Sequence, residues 1–153
     1  EPERKPFTNE IIRPRLVYAT GIRLGLAQGI GGIVPRSERL YARGSATLRG
    51  FAQNAVGSIG PHRIPIGGEA MLILNNELRM PLVSIFDGVV FMDIGNVYNR
   101  ISDISLTDLR KSTGVGLRVR TPWVLLRGDY GIVIAPRPGE PRSRFYFSIG
   151  QAF

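Results

Sequence analysis

Large apolar side chains alternate with small or charged side chains along most of this chain. In residues 16–29, the even positions from Leu16 to Leu26 are large and apolar apart from Thr20, whereas the odd positions hold mostly small residues and Arg23. A period of two residues is the pattern of a β-strand, because successive side chains of a strand point to opposite faces of the sheet. The stretch therefore predicts a strand with one large apolar face and one small or charged face.

The same alternation recurs in five later segments, which are residues 69–82, 89–98, 112–123, 125–134 and 144–153. Segments of about ten residues match the length of a tilted strand that crosses a membrane. In a transmembrane β-barrel, apolar residues face lipid, charged residues face a wet lumen, and aromatic residues gather near the strand ends. We therefore predict an all-β chain with six antiparallel strands of a transmembrane β-barrel.

A soluble antiparallel sandwich is the alternative architecture with the same alternation. Its dry core would have to pair every inward charge, including Arg120 and Asp129, whereas a lumen filled with water would not. The barrel is therefore preferred, and it predicts that Leu117 and Phe147 lie on the lipid side while Arg118 and Arg127 lie on the opposite side. The same interpretation predicts Tyr98 and Trp123 near the ends of the strands, on the lipid face.

The number of predicted strands indicates only part of a barrel. About eight strands are the practical minimum for closure around a lumen, so six strands are not closed alone. Residues 16–153 are therefore interpreted as one portion of a larger barrel, and the family resemblance described below implies that it is the C-terminal part. Residues 1–15 are charged and interrupted by proline, and the same resemblance implies that they are the remnant of an upstream periplasmic turn or strand.

The charge balance admits several kinds of anionic partner. The chain has 20 Lys and Arg residues against 12 Asp and Glu residues, which suits nucleic acid, an anionic membrane surface or a glycolipid. A soluble basic β-domain that binds nucleic acid is therefore one candidate. Such a domain would gather basic and aromatic residues on one exposed surface, whereas these arginines share a face with acids and glycines, so no nucleic acid is expected as a partner.

Cofactor and metal chemistry find little support in the residues. There is no cysteine, so neither a disulfide nor a thiolate metal site is possible. The single histidine, His62, has no companion ligands in its segment. We expect no metal, no cofactor and no enzymatic activity.

A long connection, residues 29–68, separates the first two predicted strands. Connections of that length are rare in compact domains and are usually functional. This one contains Leu48, Arg49, Gly50 and Phe51 in succession, and a solvated loop has no need of two large apolar residues beside an arginine. The arginine suggests an anionic partner, because its planar fork can bond two carboxylates at once.

Several spaced motifs together resemble a known family. The order of LRGF in a long loop, then NNELRMPL, FMDIGNVY, STGVGLRVRTPW, LRGDYG and a final RFYFSIGQAF is similar to the C-terminal part of the Omp85 superfamily. The resemblance is greatest to the BamA/TamA-type outer-membrane assembly proteins. It implies that the long loop folds back into the barrel and that its tip, residues 48–51, contacts the inner wall at Glu77, Asp93 and Gly95.

The resemblance also implies a function and a location. It points to assembly and insertion of β-barrel proteins, or to protein translocation, in the bacterial outer membrane. The implied partners are outer-membrane lipid and lipopolysaccharide, client outer-membrane proteins, and the N-terminal barrel strands and POTRA domains of the same protein. A pore that secretes polypeptides by two-partner secretion, with the same barrel and a gating loop, is the alternative within the superfamily.

The final predicted strand carries a second feature of the resemblance. Its alternating residues Phe145, Phe147, Ile149 and Phe153 are similar to the signal by which outer-membrane proteins are recognised for insertion. A strand at the edge of a sheet has unpaired backbone groups and can template pairing with another strand.

Overall fold

A single antiparallel sheet forms the body of the molecule. The computed structural model describes residues 16–83, 85–121 and 123–151. The sheet contains β1 (Val17–Leu26), β2 (Ala70–Pro81), β3 (Phe86–Tyr98), β4 (Arg110–Arg120), β5 (Val124–Ile134) and β6 (Ser143–Gln151). The strands lie side by side in chain order, and every neighbouring pair is antiparallel. Within the described residues β1 and β6 do not pair, so the sheet is open. The prediction of six antiparallel strands that are not closed alone is confirmed.

The two faces of the sheet differ as the alternation predicts. We call the face covered by the long loop the inner face and the opposite face the outer face. On β4 the inner residue Arg118 is only 7% exposed, whereas its outer neighbour Leu117 is exposed. On β6 the outer residue Phe147 is 61% exposed. The predicted placement of apolar residues outward and arginines inward is therefore confirmed.

The two aromatic residues predicted near the strand ends have different surroundings. Trp123 lies at the turn between β4 and β5 and is exposed, as expected. Tyr98 ends β3, but it is only 5% exposed, because its hydroxyl donates to the carbonyl of Ser105 in the following connection. The predicted position of Tyr98 at a strand end is therefore confirmed, whereas its predicted exposure on the lipid face is not found. The connection after β3 folds over the strand end, and alternation within a strand carries no signal of that.

The connection between β1 and β2 is an ordered layer on the inner face. It contains the short helix α1 (Gly44–Thr47) and 3₁₀ turns at Arg36–Glu38 and Pro61–Arg63. An isolated bridge between Leu40 and Gly68 ties its two arms together. In the described ranges, no helix is long and apolar enough to cross a membrane.

The apolar core lies between this loop and the inner face. It combines loop residues with inward residues of β2, β3 and β5, and it consists of Ala42, Leu48, Phe51, Val56, Ile73, Val97 and Val133. Burial of apolar side chains in such a cluster contributes about 25 cal/mol for each Å² removed from water. The loop is therefore held by packing as well as by its polar contacts.

Residues 1–15 and Phe153 lie outside the described residues. The predicted upstream remnant and the last residue of the predicted signal strand therefore receive no structural account.

Candidate functional site

The side chain of Arg49 lies at the centre of the contact between loop and sheet. Arg49 follows α1 closely, and its Nε and Nη2 donate to Oδ2 and Oδ1 of Asp93, both at 2.8 Å. Its backbone N–H donates to the same Oδ2 at 3.1 Å. Asp93 is inaccessible to solvent, with an exposed fraction of 0%. One loop residue thus supplies the buried carboxylate with a bidentate, charge-assisted pair and a backbone hydrogen bond.

The Arg49 guanidinium also contacts Glu77 through its remaining edge and Phe91 through one flat face. Nη1 donates to Oε2 of Glu77 at 2.7 Å. The ring of Phe91 lies against the flat face of the group, with 3.6 Å between the Arg49 Cζ atom and the ring centroid. A lysine ammonium lacks both the fork and the flat face, so this environment is specific for arginine.

The charge of Arg49 is maintained despite its burial. Burial alone lowers the pKa of the guanidinium, but hydrogen bonds and Coulombic attraction from Asp93 and Glu77 outweigh it and raise the pKa above the ordinary value. The loop arginine therefore stays protonated and balances the carboxylates of the wall.

A third inward residue links the loop backbone to this cluster. The Nδ2 atom of Asn75 donates to Oδ1 of Asp93 at 2.9 Å and to the carbonyl of Thr47 at 2.6 Å. Asn75 was not singled out in the sequence analysis. Its position two residues before Glu77 on the same face of β2 was the available signal.

Two glycines allow the loop tip to approach the backbone of β5. Gly50 has a φ of +97°, which disfavours residues with a side chain. A Cβ atom at Gly131 would lie 2.5 Å from the backbone N of Gly50 and 2.8 Å from the carbonyl carbon of Arg49. The tip therefore lies directly on the β5 backbone. Sequence reasoning missed Gly131, because an inward glycine on a strand does not reveal which backbone lies over it.

The apolar residues of the tip are buried on either side of this contact. Leu48 and Phe51 belong to the core, and the hydroxyl of Tyr146 on β6 donates to the carbonyl of Phe51. Gly95, the third residue that the resemblance places at the inner wall, is buried on β3. The three atoms nearest to a Cβ placed there belong to Leu72 and Ile73 of β2, so Gly95 packs closely within the sheet, and its contact with the loop tip stays a prediction.

The inward charges beyond Arg49 form a continuous network. Both oxygens of Asp129 accept from Arg118, at 2.7 and 3.2 Å, and Arg127 adds a further bond at 3.2 Å. Glu77 Oε1 accepts from Arg79 at 2.6 Å, and Glu77 Oε2 lies 3.7 Å from Arg118. A wet lumen does not require such charges to be paired, but the structure pairs them all the same.

A second ion pair lies beside the tip. Arg110 on β4 donates to both oxygens of Glu140, at 3.1 and 2.6 Å, and its Cζ lies 5.1 Å from the ring centroid of Phe51. Burial alone raises the pKa of Glu140, but the hydrogen bonds from Arg110 and from the Arg137 backbone, with the attraction of both charges, lower it overall. This pair ties the β5–β6 connection to the wall under the loop.

The Glu140 pair predicts a pH dependence of stability. Because the folded-state pKa lies below the ordinary value, the stabilisation is present above the unfolded pKa of about 4.3 and is lost as the pH falls through the folded pKa. Glu140→Gln is expected to lower the free energy of unfolding at neutral pH by about 1–3 kcal/mol. The difference between variant and wild type in urea unfolding should shrink below a pH of about 4. The exposed Glu38→Gln serves as control, and a difference independent of pH would contradict the assignment.

The edge strand β6 presents the other predicted residues. Phe145, Phe147 and Ile149 all point outward and are exposed. In the described part of the chain, no group of three or more His, Cys, Asp or Glu side chains is placed to hold a metal ion.

Comparison with known proteins places this geometry in a family. The model of the Omp85 superfamily domain matches residues 5–153. The outer membrane protein assembly factor BamA of Nitratidesulfovibrio vulgaris is 34% identical over 134 residues, covering 80% of this chain and 16% of that protein. Outer envelope protein 39, chloroplastic, of Arabidopsis thaliana is 28% identical over 136 residues, covering 78% of this chain and 35% of that protein.

A solved structure of an outer-membrane protein has a similar fold. The crystal structure of BamA from Haemophilus ducreyi lacking POTRA domains 1–3 superposes with a TM-score of 0.75 at 25% identity, covering 87% of this chain and 31% of that chain. The chain therefore spans between about a sixth and about a third of the length of these relatives. The chain belongs to the Omp85 superfamily, and its open sheet is a C-terminal portion of the outer-membrane β-barrel of that superfamily.

Proposed function

We propose that this chain is the part of an outer-membrane insertion or translocation protein in which the long loop is fastened to the inner wall of the barrel. The names of two relatives, an outer membrane protein assembly factor and a chloroplast outer envelope protein, support a role at an outer membrane. The observation that carries the proposal is the Arg49 guanidinium, which joins the loop to two inner-wall carboxylates, Asp93 and Glu77.

The role of this contact is mechanical. The tip holds β2, β3 and β5 in one arrangement, because Glu77, Asp93 and Gly131 all contact residues 49–50. Removing one partner of a buried ion pair is costly, since it leaves an uncompensated charge. The anchored loop therefore stiffens this side of the barrel and keeps residues 29–68 in a fixed position inside the lumen. This role requires no catalysis.

The proposed partners follow from this location. The outer face meets lipid and lipopolysaccharide, and the edge strand β6 is available for pairing with further strands of the same barrel or of a client outer-membrane protein. POTRA domains of the same protein complete the assembly. A soluble nucleic-acid-binding role is disfavoured, because Arg49 and Arg118 are buried and paired on the inner face.

The test uses the full-length protein reconstituted into liposomes. Insertion of a radiolabelled client β-barrel is followed by its protection from added protease, in the wild type and in Arg49→Lys. Arg49→Lys preserves the charge but not the fork, so the proposal expects slower insertion with the protein still folded. Wild-type insertion by this variant, with the loop displaced, would refute the proposed role of the anchored loop.

The proposed lipid contact of the outer face gives a separate prediction. Val115 lies at the middle of β4 and is exposed on the outer face. An arginine at the bilayer midplane costs about 2–4 kcal/mol in such barrels, so Val115→Arg should strongly reduce the amount of heat-resistant folded barrel seen by gel electrophoresis. Gly150→Arg, which places the same side chain on the inner face of β6 opposite Leu125 and in open space, is the matched control and should be tolerated. Equal losses in both variants would contradict the lipid assignment.

A further inference from the structure

A recess lined by arginine lies beneath the loop. This cavity, of about 300 Å³, is bounded by α1 and by the inner face of β1, β2 and β5. Four arginines and one carboxylate line it, namely Arg23, Arg49, Arg79, Arg127 and Glu77. Four arginines against one carboxylate give the wall a net positive charge unless carboxylates behind the wall neutralise the arginines. The ion-pair partners of each arginine therefore determine what the recess can bind.

The carboxylates behind the recess are already occupied. Glu77 accepts from Arg49 through Oε2 and from Arg79 through Oε1. Both oxygens of Asp129 accept from Arg118, which leaves Arg127 a shared position on Oδ2. No further carboxylate among the described residues lines the recess.

Arg23 adds to the positive charge at one end of the recess. Its Nη1 donates to the neutral carbonyl of Ala46 at 2.5 Å, and among the described residues it forms no ion pair. The positive charge of the wall therefore exceeds the negative charge available to it.

Two of these arginines keep donors free for another partner. The Arg79 side chain is 53% exposed and uses only Nε, while the Arg127 side chain is 40% exposed and uses only Nη2. The Nε atom of Arg127 is buried and has no hydrogen-bond partner among the described residues. A smaller cavity of about 160 Å³ is also lined by Arg79 and Arg127, and its wall further includes Arg118, Leu125 and the ion pair of Arg120 with Asp87. The two arginines with free donors thus line both cavities.

We propose that Arg79 and Arg127 form a binding site for a phosphate-type oxyanion inside the barrel. Guanidinium groups bind phosphate through parallel, charge-assisted hydrogen bonds, and both residues have donors left for such bonds. The volume is at the low end of small-ligand sites, which run from about 300 Å³ upward, so a small multivalent anion suits the recess better than a length of polypeptide. The anion is either free in solution or carried on a lipid headgroup. This inference does not depend on the proposed role in insertion or translocation.

The site is tested with inorganic pyrophosphate as the probe. The full-length protein, in micelles of an uncharged detergent, is titrated by calorimetry at constant ionic strength. Arg79→Gln and Arg127→Gln should each weaken binding about tenfold or more, since each removes a charge-assisted contact. Arg144→Gln, on the inner face of β6 but outside both cavities, is the matched control and should bind as the wild type does. Heat-resistant migration on gels shows that each variant is folded.

A second arm distinguishes the source of the anion. The titration is repeated in nanodiscs of phosphatidylcholine with and without phosphatidylglycerol. If phosphatidylglycerol weakens pyrophosphate binding by the wild type and by Arg144→Gln, the site takes the lipid headgroup. If pyrophosphate binding is the same with and without phosphatidylglycerol, the site takes a free anion. The proposal is overturned if the wild type binds no pyrophosphate, if both glutamine variants bind as the wild type does, or if Arg144→Gln weakens binding equally. Arg79→Lys keeps the charge without the fork and must also weaken binding, even if Arg79→Gln does not fold.

Discussion

Arg49→Ala is expected to cause the largest loss of stability of any single substitution in the loop. It leaves Asp93, which has no solvent access, and Glu77 without their main partner. Breaking a buried pair in this way costs about 3–5 kcal/mol. The measurement is the urea midpoint of the refolded full-length protein, with trypsin cleavage within the loop as a separate readout of loop position.

Two exposed arginines of the same loop provide the controls. Arg36→Ala and Arg43→Ala remove the same side chain at exposed positions, where ion pairs contribute little. Their effects should stay within about 0.5 kcal/mol. Equal and mild effects from all three substitutions would show that Arg49 is not a specific anchor.

A double variant distinguishes the stability lost with the Arg49 contacts from the cost of leaving the buried Asp93 carboxylate unpaired. In Arg49→Ala combined with Asp93→Asn, the buried carboxylate is replaced by a neutral amide. Part of the stability lost in Arg49→Ala should return, because an unpaired buried charge costs more than an unpaired amide. If the double variant is as unstable as the sum of the two single variants, the charges are not coupled.

Gly131→Ala is expected to displace the loop tip without altering any charged group. The added Cβ would lie 2.5 Å from Gly50 N and 2.8 Å from the Arg49 carbonyl carbon, and both are backbone atoms that cannot move alone. Overpacking of this kind costs about 1–3 kcal/mol. The displaced tip should expose the peptide bond after Arg49, so trypsin should cut there faster than in the wild type.

Gly128→Ala is the matched control for this experiment. Gly128 lies on the same strand, but a Cβ there would meet only the Phe145 ring, at 3.5 Å and beyond. We expect trypsin resistance at Arg49 to be unchanged in this variant. If Gly131→Ala also leaves cleavage unchanged, the tip does not depend on close approach to β5.

The sheet and its faces could be predicted because they depend on local alternation. Leu117 and Arg118 are neighbours whose opposite placement follows from the two-residue period alone. The carboxylates Glu77 and Asp93 could be assigned to the inner face in the same way. Their pairing with Arg49 was predicted only from the family resemblance, because the two-residue period does not show which part of a long loop contacts the wall.

The parts that could not be predicted depend on where one segment lies over another. Gly131 and Tyr146 contact the loop tip through its backbone, so the side chains of the tip give no signal of these contacts. Tyr98 had the alternation of a lipid-facing residue and was covered by the connection that follows it.

The long separation between Arg49 and its partners has a consequence for the order of folding. Arg49 and Asp93 are 44 residues apart in the chain, and Arg49 and Glu77 are 28 apart. The loop cannot gain these bonds until β2 and β3 have paired, because the two carboxylates come together only on the finished sheet. Contacts of high sequence separation form slowly, since the entropy of closing the loop is lost first. We therefore expect the tip to dock late in folding, so that a docked tip marks a wall whose strands have already paired in register.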